Sequence, residues 1–171
     1  MGSEGPAGVT VHITGFKKFH GVAENPTEKI VRNLQPFMKK RGLPKGLTLG
    51  SCTVLETAGQ GGLGPLRDVF ESAIVDKEYG LNDQGQVILT TLPVNEVNKS
   101  LQQMGFDVAP SDDAGRFVCN YVYYQSLRFA EQNGIKSLFV HFPLFTTISE
   151  EVQMNFVASL LEVLASLKYA Q

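Results

Sequence analysis

Two side chains able to carry out nucleophilic catalysis stand close together in the second half of the chain. Cys119 lies within SDDAGRFVCNYVYYQSL (Ser111–Leu127), and His141 follows near the end of the apolar run SLFVHFP. The pattern predicts Cys119 in the first turn of a helix, where the positive end of the macrodipole favours thiolate. It puts His141 at the carboxyl edge of the next strand, where an imidazole can serve sulfur as general base or ion-pair partner. Each residue also has a structural alternative. A lone helix cysteine among aromatic neighbours is more often inert core, and a strand-end histidine is as often scaffolding as not.

Other chemistry-bearing residues carry weaker signals. Phe16 and Phe19 sit in the loop GFKKFHGVAENP, where two aromatic faces could hold a flat apolar ring. Anchoring the loop is the commoner role for such residues. His12, inside an apolar strand, and His20, beside two lysines, read as structural, and Cys52 reads as core. Asp112 and Asp113 fit turn and cap positions ahead of the Cys119 helix. The Lys17–Lys18 pair is too small for a binding patch. The stretch AGQGGLG (Ala58–Gly64) matches a phosphate-binding GxGxxG only loosely and lacks the Walker lysine and serine.

The elements that must position these residues alternate along the chain. Strands are expected at Val9–Thr14, closed by Gly15, then at Leu47–Val54, Val87–Thr91, Phe106–Ala109 and Ser137–Phe142, the last being the most strand-like. Helices are expected at Pro26–Lys40, with Ile30, Val31, Leu34 and Phe37 on one face, and at Gly61–Val75 and Pro93–Met104. Two more follow: Phe117–Gln132, apolar nearly all round and so enclosed, capped by Gly134, and Glu150–Leu167, with Val152, Phe156, Leu160, Leu161 and Leu164 inward. Such alternation predicts an α/β fold, a three-layer αβα sandwich with a mostly parallel twisted sheet. Active residues then gather at the carboxyl ends of the strands, where Phe16, Phe19 and His141 fall.

The composition bounds the rest. A chain of 171 residues, 43% hydrophobic, supports one core, here residues 9–171 behind a flexible N-terminus at 1–8. A net charge of −2 gives no electrostatic footprint for nucleic acid or an anionic membrane. Two cysteines without CxxC spacing suggest neither a disulfide framework nor zinc, and no cofactor is expected. MGSEGPAG lacks the parts of a signal peptide and no run is long enough to span a bilayer, so a cytoplasmic protein is expected.

Three segments, TGFKKFHGVAENPT, SDDAGRFVCNYVYYQSL and FVHFP, resemble the pyroglutamyl peptidase I family, the pyrrolidone carboxyl peptidases. The resemblance covers most of residues 9–167. The DAGRFxCN block is specific, and TGFxxFxxxxxNP supports it from an independent part of the chain, with Lys18 where the family's usual motif has proline. The resemblance implies a cytosolic cysteine peptidase that removes N-terminal pyroglutamate from peptides. It implies Cys119 as nucleophile, His141 as its base, and Phe16 and Phe19 as walls for the pyrrolidone ring. It also implies an internal block that this chain lacks. DKEYGLNDQGQ runs directly into VILTTLPVNEV, with no counterpart of the segment bearing the family's triad glutamate and oxyanion-site arginine. Glu56, Glu78 and Glu96 match nothing in that segment. Reduced or lost turnover is therefore expected, with a pyroglutamate-binding pseudoenzyme as the alternative.

Overall fold

The structure is a computed structural model, and it describes residues 8–19, 21–57, 65, 66, 68, 69, 90–115 and 118–167. Strand β1 (Val9–Phe16) leads through a loop into helix α1 (Pro26–Arg41), and strand β2 (Leu47–Leu55) returns beside β1. Helices α2 (Val94–Gln103), α3 (Cys119–Asn133) and α4 (Glu150–Ser166) follow. The β1–α1–β2 unit is a parallel crossover, and the fold is α/β.

The start of α1 is fixed by three consecutive residues. Asn25 is the N-cap, and its side-chain oxygen accepts from Thr27 N–H at 3.0 Å. Pro26, already restricted to a helical φ and lacking an N–H, takes the first helical position. Along the helix Ile30, Leu34 and Met38 recur at helical spacing and bury against Leu47 of β2 and Met154, Val157, Ala158 and Leu161 of α4. Each such aliphatic side chain contributes about 1.5–3 kcal/mol on burial. A second cluster joins Val97 and Leu101 of α2 to Val163 and Leu164 of α4. A third joins Leu55, Leu66 and Val122 of α3, with Phe16 against it.

Two glycines behave otherwise than as turn residues. Gly15 does not end β1, which runs on through Phe16. A Cβ on Gly15 would stand 2.5 Å from Thr27 O and 2.8 Å from Val31 Cγ2, so its bare backbone lets β1 lie close against α1. Gly50 lies at a bulge where register passes from Val11↔Leu49 to Ile13↔Cys52, leaving Gly50 and Ser51 opposite His12. A Cβ there would fall 2.6 Å from the His12 ring.

Several expected elements differ. Ser137–Phe142 and Phe106–Ala109 form no ladder, because a strand needs a neighbour within hydrogen-bonding reach and neither has one among the described residues. Thr90 and Thr91 are not strand, while Val87–Leu89 lie outside the described residues. Of the helix expected at Gly61–Val75, only Pro65, Leu66, Asp68 and Val69 are described, and they are helical. β1 is only partly buried, with Thr10 exposed, and α3 buries Val122, Leu127, Phe129 and Ala130 rather than its whole circumference. On α4, Val152 is exposed, and the buried face centres on Met154, Val157, Ala158, Leu161 and Leu164. Among the described residues no helix is long and apolar enough to cross a membrane.

Candidate active site

The loop after β1 is held by the same residues that start α1. Thr27 Oγ1 accepts from the backbone N–H of Phe16 at 2.9 Å, and donates to Asn25 Oδ1 at 2.9 Å. Asn25 Nδ2 donates to Lys17 O at 3.2 Å. An Asn–Pro–Thr corner, with Asn25 and Pro26 buried and Thr27 half-buried, therefore sets the path of the segment that bears Phe16 and Phe19. Lys17, expected to be simply solvated, pairs with Glu56 just past β2.

Cys119 is the first residue of α3. The helix N-cap is Val118, with no side-chain cap bond, so the expected capping role of Asp112 and Asp113 is not what starts it. Asp113 instead closes a turn: its Oδ1 accepts from Gly115 N–H at 2.8 Å, and its own N–H donates to Ser111 Oγ at 3.2 Å. That turn brings Gly115 to the imidazole of His141, where an added Cβ would lie 3.9 Å from the ring.

The expected thiolate bias at Cys119 is outweighed. Burial pushes its thiol upward, and its own backbone N–H acts in the opposite, lowering direction as the lesser cause. The macrodipole is a modest effect at any helix start, whereas removing water from an anion is costly, so desolvation wins. Cys52, in β2, is pushed up by burial alone.

His141 stands edge-on to Phe139, whose ring also meets that of Tyr123 of α3 at 5.5 Å. Tyr123 is one helical turn from Cys119 and shares its face. Burial raises the Tyr123 phenol, and a hydrogen bond with Thr90 acts against that rise. Thr90 Oγ1 in turn donates to Ser137 O, which ties α3 to the segment leading to His141. Beyond His141, the buried Gln153 of α4 donates to Pro143 O and Ile148 O, both at 2.8 Å.

Cys119, His141, Phe16 and Phe19 all line one cavity of about 930 Å³. Phe16 is partly buried against Leu55, Leu66 and Val122, whereas Phe19 is 51% exposed at the mouth. His12 also lines the cavity, and its Nδ1 accepts from Ser51 N–H at 3.1 Å and stands 2.9 Å from Ser51 Oγ. That bond fixes the neutral tautomer with its proton on Nε2, which keeps His12 occupied with β2. His20 and the segment Ala58–Gly64 lie outside the described residues. Among the described residues no three His, Cys, Asp or Glu side chains converge as a metal site.

Asn25, Thr27 and Tyr123 were given no role from sequence. The Asn–Pro pair before a helical pattern is a recognisable cap signal. Tyr123 could have been found from its four-residue spacing to Cys119.

A family model described as Pyroglutamyl peptidase matches residues 65–169, a span that contains Cys119 and His141. A pyrrolidone-carboxylate peptidase of Thermococcus litoralis is 30% identical over 166 residues, covering 78% of this chain and 76% of its own. One from Clostridium botulinum is 28% identical over 165 residues, with 78% of each chain covered. In three dimensions the chain resembles a mutant pyrrolidone carboxyl peptidase of Pyrococcus furiosus, with a TM-score of 0.74 and 22% identity, over 91% of this chain and 97% of that one.

Proposed function

This chain belongs to the pyroglutamyl peptidase family, and we propose that it recognises peptides whose N-terminus is closed as pyroglutamate and removes that residue slowly. The observation that carries this reading is the single cavity lined by Cys119, His141, Phe16 and Phe19 together. The lactam ring is flat and uncharged, so aromatic walls at Phe16 and Phe19 suit it. Cys119 Sγ gives its proton to His141 and attacks the carbonyl carbon that joins pyroglutamate to the next residue. The tetrahedral oxyanion collapses to a thioester as His141 returns the proton to the departing amine nitrogen. Water, deprotonated by His141, then hydrolyses the thioester and frees pyroglutamic acid.

Slow turnover has two supports. Among the described residues no carboxylate bonds to His141, and burial disfavours the thiolate of Cys119. In a serine-protease triad, loss of the orienting acid costs roughly four orders of magnitude. The same two observations favour a second reading, a pyroglutamate-binding protein without turnover. Both readings suit a reducing, cytoplasmic setting, given that Cys52 and Cys119 are free thiols.

A fluorogenic pyroglutamyl amide, with calorimetry against 2-pyrrolidone, separates them. Release that vanishes in Cys119→Ala supports the peptidase. Saturable 2-pyrrolidone binding without release supports the binding protein. Neither release nor binding overturns both.

A further inference from the structure

His141 is exposed, and among the described residues no carboxylate bonds to it. Its ring stands edge-on to Phe139, with centroids 4.8 Å apart. Phe139 in turn meets Tyr123 of α3 at 5.5 Å, the two planes inclined by 37°. Tyr123 comes one helical turn after Cys119, so the two side chains project from one face of α3. A line of three rings therefore leads from the helix of the thiol to the imidazole.

The far end of Tyr123 is held as well. Its hydroxyl bonds to that of Thr90. Thr90 Oγ1 also donates to Ser137 O and accepts from Leu92 N–H at 3.2 Å. A hydroxyl has one proton and two lone pairs, so these partners use it completely. Leu92 is buried with Val97 and Leu101 of α2 and with Val163 and Leu164 of α4, which anchors Thr90 to the core. Leu138 packs against the same cluster. Tyr123 thus reaches the chain ahead of His141 at two points, through Thr90 at the Ser137 carbonyl and ring to ring at Phe139. One contact leaves a segment free to pivot, whereas two contacts fix its direction. The phenol itself is set by α3 at one end and by Thr90 at the other, so its ring has little freedom to swing.

We propose that Tyr123 is a positioning residue of this site: clamped between Thr90 and Phe139, it holds the imidazole of His141 in a fixed place relative to Cys119. It performs the orienting half of what an acid does in a triad. A ring contact offers no full negative charge to an imidazolium, so it aligns the base without stabilising its cation. The role requires no contact between the phenol and a substrate, and it rests on the peptidase reading for its effect on rate alone.

Tyr123→Phe keeps the ring and removes the bond to Thr90, and Thr90→Val removes the same bond from the other side. NMR of the full chain, with the His141 signals identified through His141→Gln, reads the imidazole without turnover. In the parent protein the His141 ring protons should show ring-current shifts and nuclear Overhauser contacts to Phe139. In both variants the shifts should move toward free-histidine values and the contacts should weaken. Thr90→Ser, which retains the hydroxyl, should keep the parent signals. With a pyroglutamyl amide, kcat should fall about tenfold in Tyr123→Phe while KM changes little. Tyr123→Phe should cost nothing further in a Thr90→Val background. Unchanged His141 signals in Tyr123→Phe overturn the proposal, whatever the activity. A loss in Tyr123→Phe that Thr90→Val does not share also overturns it, and assigns the phenol a direct part in the reaction. An inactive parent whose His141 signals respond as expected supports the positioning role and refutes the peptidase reading.

Discussion

The imidazole of His141 stands edge-on to the ring of Phe139, with centroids 4.8 Å apart and planes at 79°. The two residues are two positions apart in the chain, and the Phe139 ring also meets that of Tyr123 of α3. The aromatic contact fixes how the ring of His141 is presented to the cavity. Phe139→Ala should therefore lower kcat toward a pyroglutamyl amide by about ten- to a hundredfold, the scale of a small misplacement of a reacting group. KM should change little, and Phe139→Tyr should retain most of the activity. Steady-state kinetics on both variants checks this.

Thiol reactivity reports the contest between burial and the helix start at Cys119. A thiol whose folded pKa is raised carries less thiolate at neutral pH than a free cysteine. Alkylation of Cys119 by iodoacetamide should accelerate only at a higher pH than alkylation of a cysteine peptide. The same shift acts on stability. A raised folded pKa gives stability that is present below the unfolded value and lost as pH climbs through the folded one. Mass-spectrometric alkylation rates across an alkaline pH series decide the matter, and an acid-shifted profile would contradict it.

Asn25 joins the α1 cap to the loop bearing Phe16 and Phe19, so its removal should be felt in two measurements. Asn25→Ala should cost about 0.5–2 kcal/mol of unfolding free energy, as for other helix caps. It should also weaken 2-pyrrolidone binding, because Thr27 and Lys17 O lose their shared partner. Asn25→Asp keeps the cap acceptor but not the donor to Lys17 O, and should recover the stability more fully than the binding.

His12 and Gly50 form a tight pair across the bulge, and Gly50→Ala should destabilise the fold by about 1–3 kcal/mol through overpacking. The cost should shrink in the double variant with His12→Ala, which removes the ring that the new methyl group would strike. Burial also lowers the pKa of His12. A depressed basic group is neutral in the fold and takes up a proton more readily when unfolded. Its contribution is present above the unfolded value of about 6.5 and is lost as pH falls below it. The melting temperature should drop over that acidic window in the parent protein and less in His12→Gln.

Local chemistry made much of this protein legible in its sequence. Pro26 at the helix start, the apolar spacing of Ile30, Val31 and Leu34, and that of Leu160, Leu161 and Leu164 each act within one or two helical turns, so α1 and α4 emerge near their expected ends. Runs of β-branched and apolar residues marked β1 and β2 for the same reason. Cys119, His141, Phe16 and Phe19 stood out by residue type and by position at element ends. Tertiary structure decided what depends on neighbours distant in the chain. Ser137–Phe142 has strand composition but no ladder among the described residues, since a strand exists only with a partner. Gly15 proved to be a close approach to α1, because only packing reveals what a missing Cβ makes room for. The direction of the Cys119 shift also depended on packing, since desolvation is set by the surrounding walls and outweighs the short-range field of the helix to which the residue belongs.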